Sequence, residues 1–196
     1  MTHRDVGYGR DPARALACAM RRDTPWTRTV RDVMCLRSDA LPDPHYGFFF
    51  GTHALGEAWM FATTLAALLR GKADGHPILD PTPLHYTRNG AAHMADHVFF
   101  IATTLQKLVL GMRAAKPAAG AFGCISIVAP TRGLWRQVPS LWRGAPEQSD
   151  GTILRWCDSN VVLNVNSEVT LDGELFMAHH AMPLSLTIDS PITFLT

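Results

Sequence analysis

Several features that mark common protein classes are missing from this sequence of 196 residues. No uninterrupted apolar run reaches the roughly 20 residues that a helix needs to cross a bilayer, and the polar start Met1–Asp5 does not have the form of a signal peptide. Charge of one sign is scarce as well. The formal net charge is +1, which argues against a protein that binds nucleic acid by neutralising phosphates. We therefore expect a cytoplasmic protein.

Cysteine pairs and phosphate-binding loops are missing too. The four cysteines are far apart and include no C-x-x-C pair, so we expect reduced thiols of the kind found in the cytosol. The sequence has neither a G-x-G-x-x-G stretch nor a Walker loop, and so nothing that would cradle a triphosphate unaided. What the chain does have is 47% hydrophobic and 18% charged residues, which is typical of a globular protein with a proper core.

The most informative stretch of the chain is residues 168–176. Runs of β-forming residues flank Asp172-Gly173, and Asp-Gly between two such runs is the strongest short-range signal for a β-hairpin. The carboxylates of Asp172 and Glu174 are thereby predicted at a rigid hairpin end, a placement that suits a general base or a Mg²⁺ anchor. An ordinary turn is the alternative, because Asp and Gly are favoured in turns for backbone reasons alone.

Four segments are predicted to be helical. Asp11–Arg22 has a capping Asp and a Pro at the first helical position. Ala54–Leu69 and Ala92–Met112 carry apolar residues at steps of three and four, which predicts two amphipathic helices. Arg132–Arg143 keeps a helical step over a shorter length.

Strand-like segments make up most of the remainder. Thr27–Arg37 predicts a strand with one buried face, and Tyr46–Gly51 a short apolar strand. From residue 121 onward the pattern changes to many short strands, which favours an antiparallel sandwich or meander. These predicted strands are Phe122–Val128, Thr152–Cys157, Val161–Val165, Glu168–Leu171, Glu174–Met177, Leu184–Ile188 and Ile192–Leu195.

Histidines give two weaker candidate sites. His93 and His97 would lie one turn apart on the second predicted helix, a spacing that can hold a metal. No third ligand stands at a fixed distance, so two polar positions on a helix are the alternative. His179 and His180 are neighbours on an extended stretch, where adjacent side chains point to opposite sides and chelate poorly.

A basic, aromatic segment follows the predicted strand Phe122–Val128. Arg132, Arg136 and Arg143 alternate with Trp135 and Trp142. Such a segment can rest on a membrane surface. It can equally be a short solvated helix that packs its tryptophans against the sheet, and both interpretations stay open at this point.

Taken together, these motifs resemble the diacylglycerol kinase family, the bacterial lipid kinases with their sphingosine kinase relatives. Residues 169–176, followed by the strands 184–188 and 192–195, look like the end of that family's sequence. Tyr46–Gly51 resembles the strand and glycine that open its second domain. Met1–Gly7 is similar to the segment that follows its glycine-rich nucleotide loop, so the resemblance covers nearly the whole chain.

The resemblance implies a mainly β, α+β fold. This would be an antiparallel β-sandwich with two or three flanking amphipathic helices, like the second domain of the diacylglycerol kinase/NAD kinase-like fold. Residues 1–28 would be a helical connection from a nucleotide-binding domain that this chain lacks, and residues 29–196 the substrate domain. The resemblance further implies that Asp172 is the general base, that Glu174 helps to position metal or nucleotide, and that Gly173 permits the tight turn between them.

The complete family enzyme uses ATP and Mg²⁺ to phosphorylate a hydroxyl of a diacylglycerol-like or sphingoid lipid. Because the glycine-rich loop is absent here, we expect negligible kinase activity and no tight binding of ATP or Mg²⁺ by this chain alone. Expected partners are the lipid, the missing nucleotide-binding domain, a second copy in a homodimer, and the inner membrane face as a peripheral contact. The alternative is a non-catalytic β-sandwich module that binds an apolar ligand or a partner protein.

Overall fold

The computed structural model describes residues 28–52, 81–88, 90–108, 112–115, 117–130, 134–137, 139–143 and 151–195. The predicted helices Asp11–Arg22 and Ala54–Leu69 lie outside these residues, as does nearly all of the predicted connection over residues 1–28.

Strands dominate the described part of the chain, as the sequence predicts. Three predicted strands have the same bounds in the structure, and most of the others differ by one or two residues. The strands are β1 (Arg28–Arg37), β2 (His45–Gly47), β3 (Phe49–Thr52), β4 (Thr82–Arg88), β5 (Ala91–Thr103), β6 (Phe122–Val128), β7 (Ile153–Asp158), β8 (Asn160–Asn164), β9 (Glu168–Leu171), β10 (Glu174–Met177) and β11 (Leu184–Leu195), and the short helices are α1 (Leu134–Gln137) and α2 (Ser140–Arg143).

All described strands join one antiparallel sheet. Its main path runs β10-β9-β3-β5-β4-β8-β11-β1-β2, and β6 and β7 extend from β5 beside this path. The sheet curls on itself, because Leu36 on β1 and Val169 on β9 share one core cluster although their strands lie near opposite ends of the path. The mainly β, antiparallel architecture is therefore confirmed.

The predicted helix Ala92–Met112 is wrong. Residues 91–103 form β5, whose first half pairs with β4 and whose second half pairs with β3 and β6. Both faces of this second half are buried: Phe100 belongs to one core cluster and Ile101 to another. A strand buried on both faces reads as a continuous apolar run, so the alternation that marks a half-exposed strand is lost.

Other boundaries differ for local reasons. The strands predicted at 184–188 and 192–195 are one strand, β11, with a register shift opposite β1 that accommodates Pro191. A bulge is one of the few places where a strand tolerates proline. The predicted strand Tyr46–Gly51 is divided at Phe48 into β2, which pairs with β1, and β3, which pairs with β5 and β9.

Two large core clusters lie on the two sides of the β5-β6-β7 part of the sheet. The first fills the inside of the curl and includes Trp156, which is 1% exposed. The second lies on the opposite face and is covered in part by α1 and α2, through Leu134 and Leu141. The helical prediction for residues 132–143 is thus confirmed only as two short helices.

Candidate functional site at the β9–β10 hairpin

The predicted acidic hairpin is present. Leu171 pairs with Glu174 and leaves a two-residue turn between β9 and β10. The φ angle of Asp172 is 49° and that of Gly173 is 98°, and positive φ at both central residues is the requirement of a type I′ turn. Gly173 adopts this conformation without a Cβ penalty, and Asp tolerates it better than most residues.

The carboxylate of Asp172 ties this turn to the junction between β2 and β3. Its Oδ2 accepts a hydrogen bond from the Phe48 N–H at 3.0 Å, and its Oδ1 accepts one from the Phe49 N–H at 3.0 Å. The Asp172 N–H in turn donates to the Phe49 carbonyl at 2.9 Å. Both carboxylate oxygens therefore have a structural task, although each keeps a second acceptor position.

Phe48 is the point at which the chain passes from β2 to β3. Its carbonyl accepts hydrogen bonds from the Thr103 hydroxyl at 2.8 Å and from the Thr104 N–H at 3.1 Å, both at the end of β5. The N–H of Phe48 donates to Asp172, so both backbone polar groups of Phe48 have hydrogen-bond partners. The hairpin turn is thereby fixed against the centre of the sheet.

Glu174 stands beside a histidine that the sequence pattern did not single out. Its Oε2 lies 3.7 Å from Nδ1 of His45, and the side chains are 74% and 31% exposed, respectively. The ring of Phe176 meets the His45 imidazole edge-on, with ring centroids 4.6 Å apart. His45 follows Pro44 in a loop-like stretch and belongs to no motif, so only the pairing of distant strands reveals it.

The possible metal ligands at the hairpin end are its two carboxylates. Within the described ranges, no three His, Cys, Asp or Glu side chains come close enough to hold a metal ion. Asp172 and Glu174 supply two carboxylates from one hairpin end. Mg²⁺ prefers six oxygen ligands and is commonly bound through one or two carboxylates plus substrate phosphates, so two carboxylates at one hairpin end are of the type that such an ion takes.

The candidate metal pair His93 and His97, to which two ordinary polar positions were the alternative, does not form. Both residues lie on β5, where four residues span roughly 13 Å. His93 is exposed and stacks on Tyr86, with centroids 5.1 Å apart, whereas His97 is buried and its Nδ1 contacts the Ser126 hydroxyl. The spacing indicated a chelate only because the segment was predicted to be helical.

The remaining sequence candidates lie away from the hairpin turn. His179 and His180 are exposed, with ring centroids 6.3 Å apart. Of the Arg–Trp segment, Trp142 is half-buried against the second core cluster, as expected of a helix that packs on the sheet. No helix in the described residues is long and apolar enough to span a bilayer.

Two solved structures share this fold. A diacylglycerol kinase from Bacillus anthracis str. Sterne is 12% identical, with a TM-score of 0.51, and the match covers 82% of this chain and 51% of that chain. A second diacylglycerol kinase-like protein of the same strain is 13% identical, with a TM-score of 0.53 and coverages of 81% and 54%. At such identities the likeness concerns the fold alone. The chain spans about half the length of these proteins.

Comparisons of sequence give no further information. No protein-family model matches the chain, and no curated protein matches it.

Proposed function

We propose that this chain is the substrate-side domain of a diacylglycerol kinase-like lipid kinase. In the complete enzyme, a phosphoryl group would pass from ATP to the hydroxyl of a diacylglycerol-like or sphingoid lipid. The observation that carries the proposal is the hairpin Leu171–Glu174, which presents two carboxylates on a curled antiparallel sheet whose fold is shared with diacylglycerol kinase structures.

Asp172 and Glu174 supply the acid–base and positioning groups in this proposal, and Gly173 permits the turn that holds them. Phosphoryl transfer depends mostly on positioning and on the stabilisation of charge. A hairpin end fixed by three backbone hydrogen bonds of Asp172 is a rigid support for such positioning. We place the second domain against the Glu174 carboxylate, which is 74% exposed beside His45.

The other half of the chemistry must come from elsewhere. The sequence contains no glycine-rich phosphate loop, so this chain cannot enforce the geometry between ATP and the lipid hydroxyl on its own. We propose that ATP and Mg²⁺ are held by a nucleotide-binding domain that packs against the hairpin. Peripheral contact with the inner membrane face and homodimerisation are compatible with this arrangement.

The first experiment compares the chain alone with the chain plus a nucleotide-binding domain from a diacylglycerol kinase. Both samples receive ATP, Mg²⁺ and diacylglycerol in mixed micelles, and phosphorylated lipid is measured. We expect turnover only in the second sample. Robust turnover by the chain alone would show that the missing loop is not needed, and no product in either sample would remove the support for a lipid kinase.

An Asp172→Asn variant tests the role of the hairpin in the reconstituted reaction. A loss of turnover of roughly 10²- to 10⁴-fold is expected, the range in which general acid–base groups contribute. Asp96→Asn, an exposed position on β5, is the matched control and should keep full activity. Equal activities of the two variants would contradict a catalytic hairpin.

A non-catalytic binding module is the second candidate. It is favoured by Leu175 and Met177, which are 61% and 66% exposed on the strand at the end of the sheet path. Exposed apolar patches often mark binding surfaces. In this case Asp172→Asn would alter stability but not the binding of an apolar ligand or a partner protein, whereas Leu175→Ser would weaken that binding.

A further inference from the structure

The two N–H groups that hold the Asp172 carboxylate belong to consecutive residues at the β2–β3 junction. Phe48 donates to Oδ2 and Phe49 to Oδ1, so a rotation of the carboxylate about its Cβ–Cγ bond weakens both hydrogen bonds at once. Each oxygen has a second lone pair that these bonds leave open. The direction of the open lone pairs, along which a hydroxyl proton would be taken, is therefore set by the backbone at residues 48 and 49.

The Phe49 N–H belongs to the same peptide unit as the Phe48 carbonyl. Because a peptide unit is planar and trans, its N–H and its C=O turn together. The Phe48 carbonyl accepts hydrogen bonds from the Thr103 hydroxyl at 2.8 Å and from the Thr104 N–H at 3.1 Å. These donors fix the plane of the peptide, and with it the direction of the N–H that reaches Oδ1 of Asp172. Hydrogen bonds in such a chain also polarise one another, which strengthens that N–H as a donor.

Thr103 is held rigidly in its place on β5. It lies directly opposite Phe49 on β3, and it is 0% exposed. Its Oγ1 accepts a hydrogen bond from the Leu105 N–H at 3.0 Å while its hydroxyl proton goes to the Phe48 carbonyl. The orientation of the hydroxyl is thus set from both sides. A valine there would have nearly the same shape but could neither donate nor accept a hydrogen bond.

The junction lies this close to the hairpin turn because residue 47 is glycine. A Cβ on Gly47 would lie 2.8 Å from Cγ of Leu171 and 3.1 Å from Oδ2 of Asp172. Contacts that short would push β2 away from the turn and lengthen the hydrogen bond from the Phe48 N–H. The carboxylate is therefore held by a backbone that approaches closely on one side and is anchored to β5 on the other.

We propose that Thr103 is a positioning residue for the general base Asp172 and acts through the Phe48–Phe49 peptide; this rests on the proposed function. In this role Thr103 contacts neither the lipid nor ATP. It fixes the carboxylate so that an open lone pair takes the proton of the lipid hydroxyl. The alcohol oxygen forms a bond to the γ-phosphorus of ATP, and the bond from that phosphorus to the β–γ bridging oxygen breaks with its electron pair leaving on ADP. The Asp172 carboxyl then releases its proton to water.

The first test follows the Phe49 amide proton in spectra of the 196-residue chain itself. Thr103→Val removes a donor to the Phe48 carbonyl, so the Phe49 amide signal should move upfield and exchange faster with water. Thr103→Ser keeps the hydroxyl and should restore both properties. The matched control is Thr52→Val, because Thr52 is 1% exposed and its Oγ1 also accepts a backbone hydrogen bond, from the Phe100 N–H at 3.0 Å. An unmoved Phe49 amide in Thr103→Val, or an equal change in Thr52→Val, would overturn the proposal.

The unmodified chain supplies a measurement that does not depend on the folding of a variant. The hydroxyl proton of Thr103 is buried and bonded to the Phe48 carbonyl, so it should exchange with water slowly enough to give a signal of its own. A Thr103 hydroxyl that exchanges as fast as an exposed one would overturn the proposal even if Thr103→Val does not fold.

The second test uses the reconstituted kinase reaction. Thr103→Val should lower kcat by roughly 10- to 10²-fold, the scale of a misplaced reacting group, with little change in KM. Thr103→Ser should regain the lost kcat, and Thr52→Val should match the unmodified protein. In an Asp172→Asn background, Thr103→Val should cause little further loss, because the base that it orients is already gone. Full kcat in Thr103→Val, or a loss that multiplies with that of Asp172→Asn, would overturn the positioning role.

The two tests separate the failure of this proposal from the failure of the proposed function. No product from the unmodified protein with the nucleotide-binding domain would overturn the proposed function and the general base that it assigns. Product formation together with an unmoved Phe49 amide in Thr103→Val would overturn only the role of Thr103.

Discussion

Replacing Asp172 with alanine removes the acceptor for two backbone N–H groups at once. The Phe48 N–H is partly buried and the Phe49 N–H is exposed, so water can compensate for the second loss better than for the first. A hydrogen bond to a charged group contributes about 1.5–3 kcal/mol to stability. The exposed bond from the Phe49 N–H should contribute well below that range. Alanine also tolerates the positive φ of residue 172 less well than Asp, which adds about 1 kcal/mol to the expected loss of stability.

We therefore expect Asp172→Ala to lower the free energy of unfolding by about 2–4 kcal/mol. Asp172→Asn should lower it by about 1–2 kcal/mol, because its amide oxygen still accepts one bond while its NH₂ faces the other N–H. Urea unfolding followed by the fluorescence of the buried Trp156 gives both values.

Glu174→Gln is the matched control on the same hairpin. Glu174 is 74% exposed, and substitutions at such positions usually change stability by less than about 0.5 kcal/mol. If Asp172→Ala were as stable as this control, the carboxylate would not hold the β2–β3 junction. The positioning role of Asp172 would then have to be abandoned.

Two further predictions concern the core. Gly123→Ala places a Cβ against the Ala115 carbonyl oxygen, so we expect a loss of about 1–3 kcal/mol in urea unfolding; Gly51→Ala, whose Cβ meets nothing closer than 3.5 Å, is the control, and equal losses would contradict the packing. Burial raises the pKa of Tyr86, so the stabilisation that its neutral hydroxyl gives is present below about pH 10 and lost as pH rises above it. Between about pH 9 and 11, the free energy of unfolding should therefore fall less in Tyr86→Phe than in the unmodified chain. The same dependence on pH in both proteins would contradict this.

The parts of the fold that local chemistry determines could be predicted from the sequence. The β9–β10 hairpin follows from Asp172-Gly173, because a two-residue turn with two positive φ angles admits few other residues. The bounds of β6 follow from a run of apolar residues ended by Pro130. These features depend on neighbours in sequence, so no knowledge of the tertiary structure was needed.

The parts that depend on distant contacts could not be predicted. β5 carries apolar residues on both faces because one core cluster covers each side of its second half, so apolar and polar residues no longer alternate along it. The partners of Asp172, by contrast, lie more than a hundred positions away in sequence, at Phe48 and Phe49. His45 enters the candidate site in the same way, through the closure of the sheet and not through a motif.

The pairing of β1 with β11 has a consequence for how the chain acquires its structure. Arg28 lies opposite Leu195, so β1 and β11 pair across more than a hundred positions of sequence. Contacts between such distant positions slow folding, to the range of milliseconds to seconds for β-rich domains. We expect β1 to spend that interval as an unpaired, aggregation-prone strand, which makes expression yield sensitive to temperature and to chaperones.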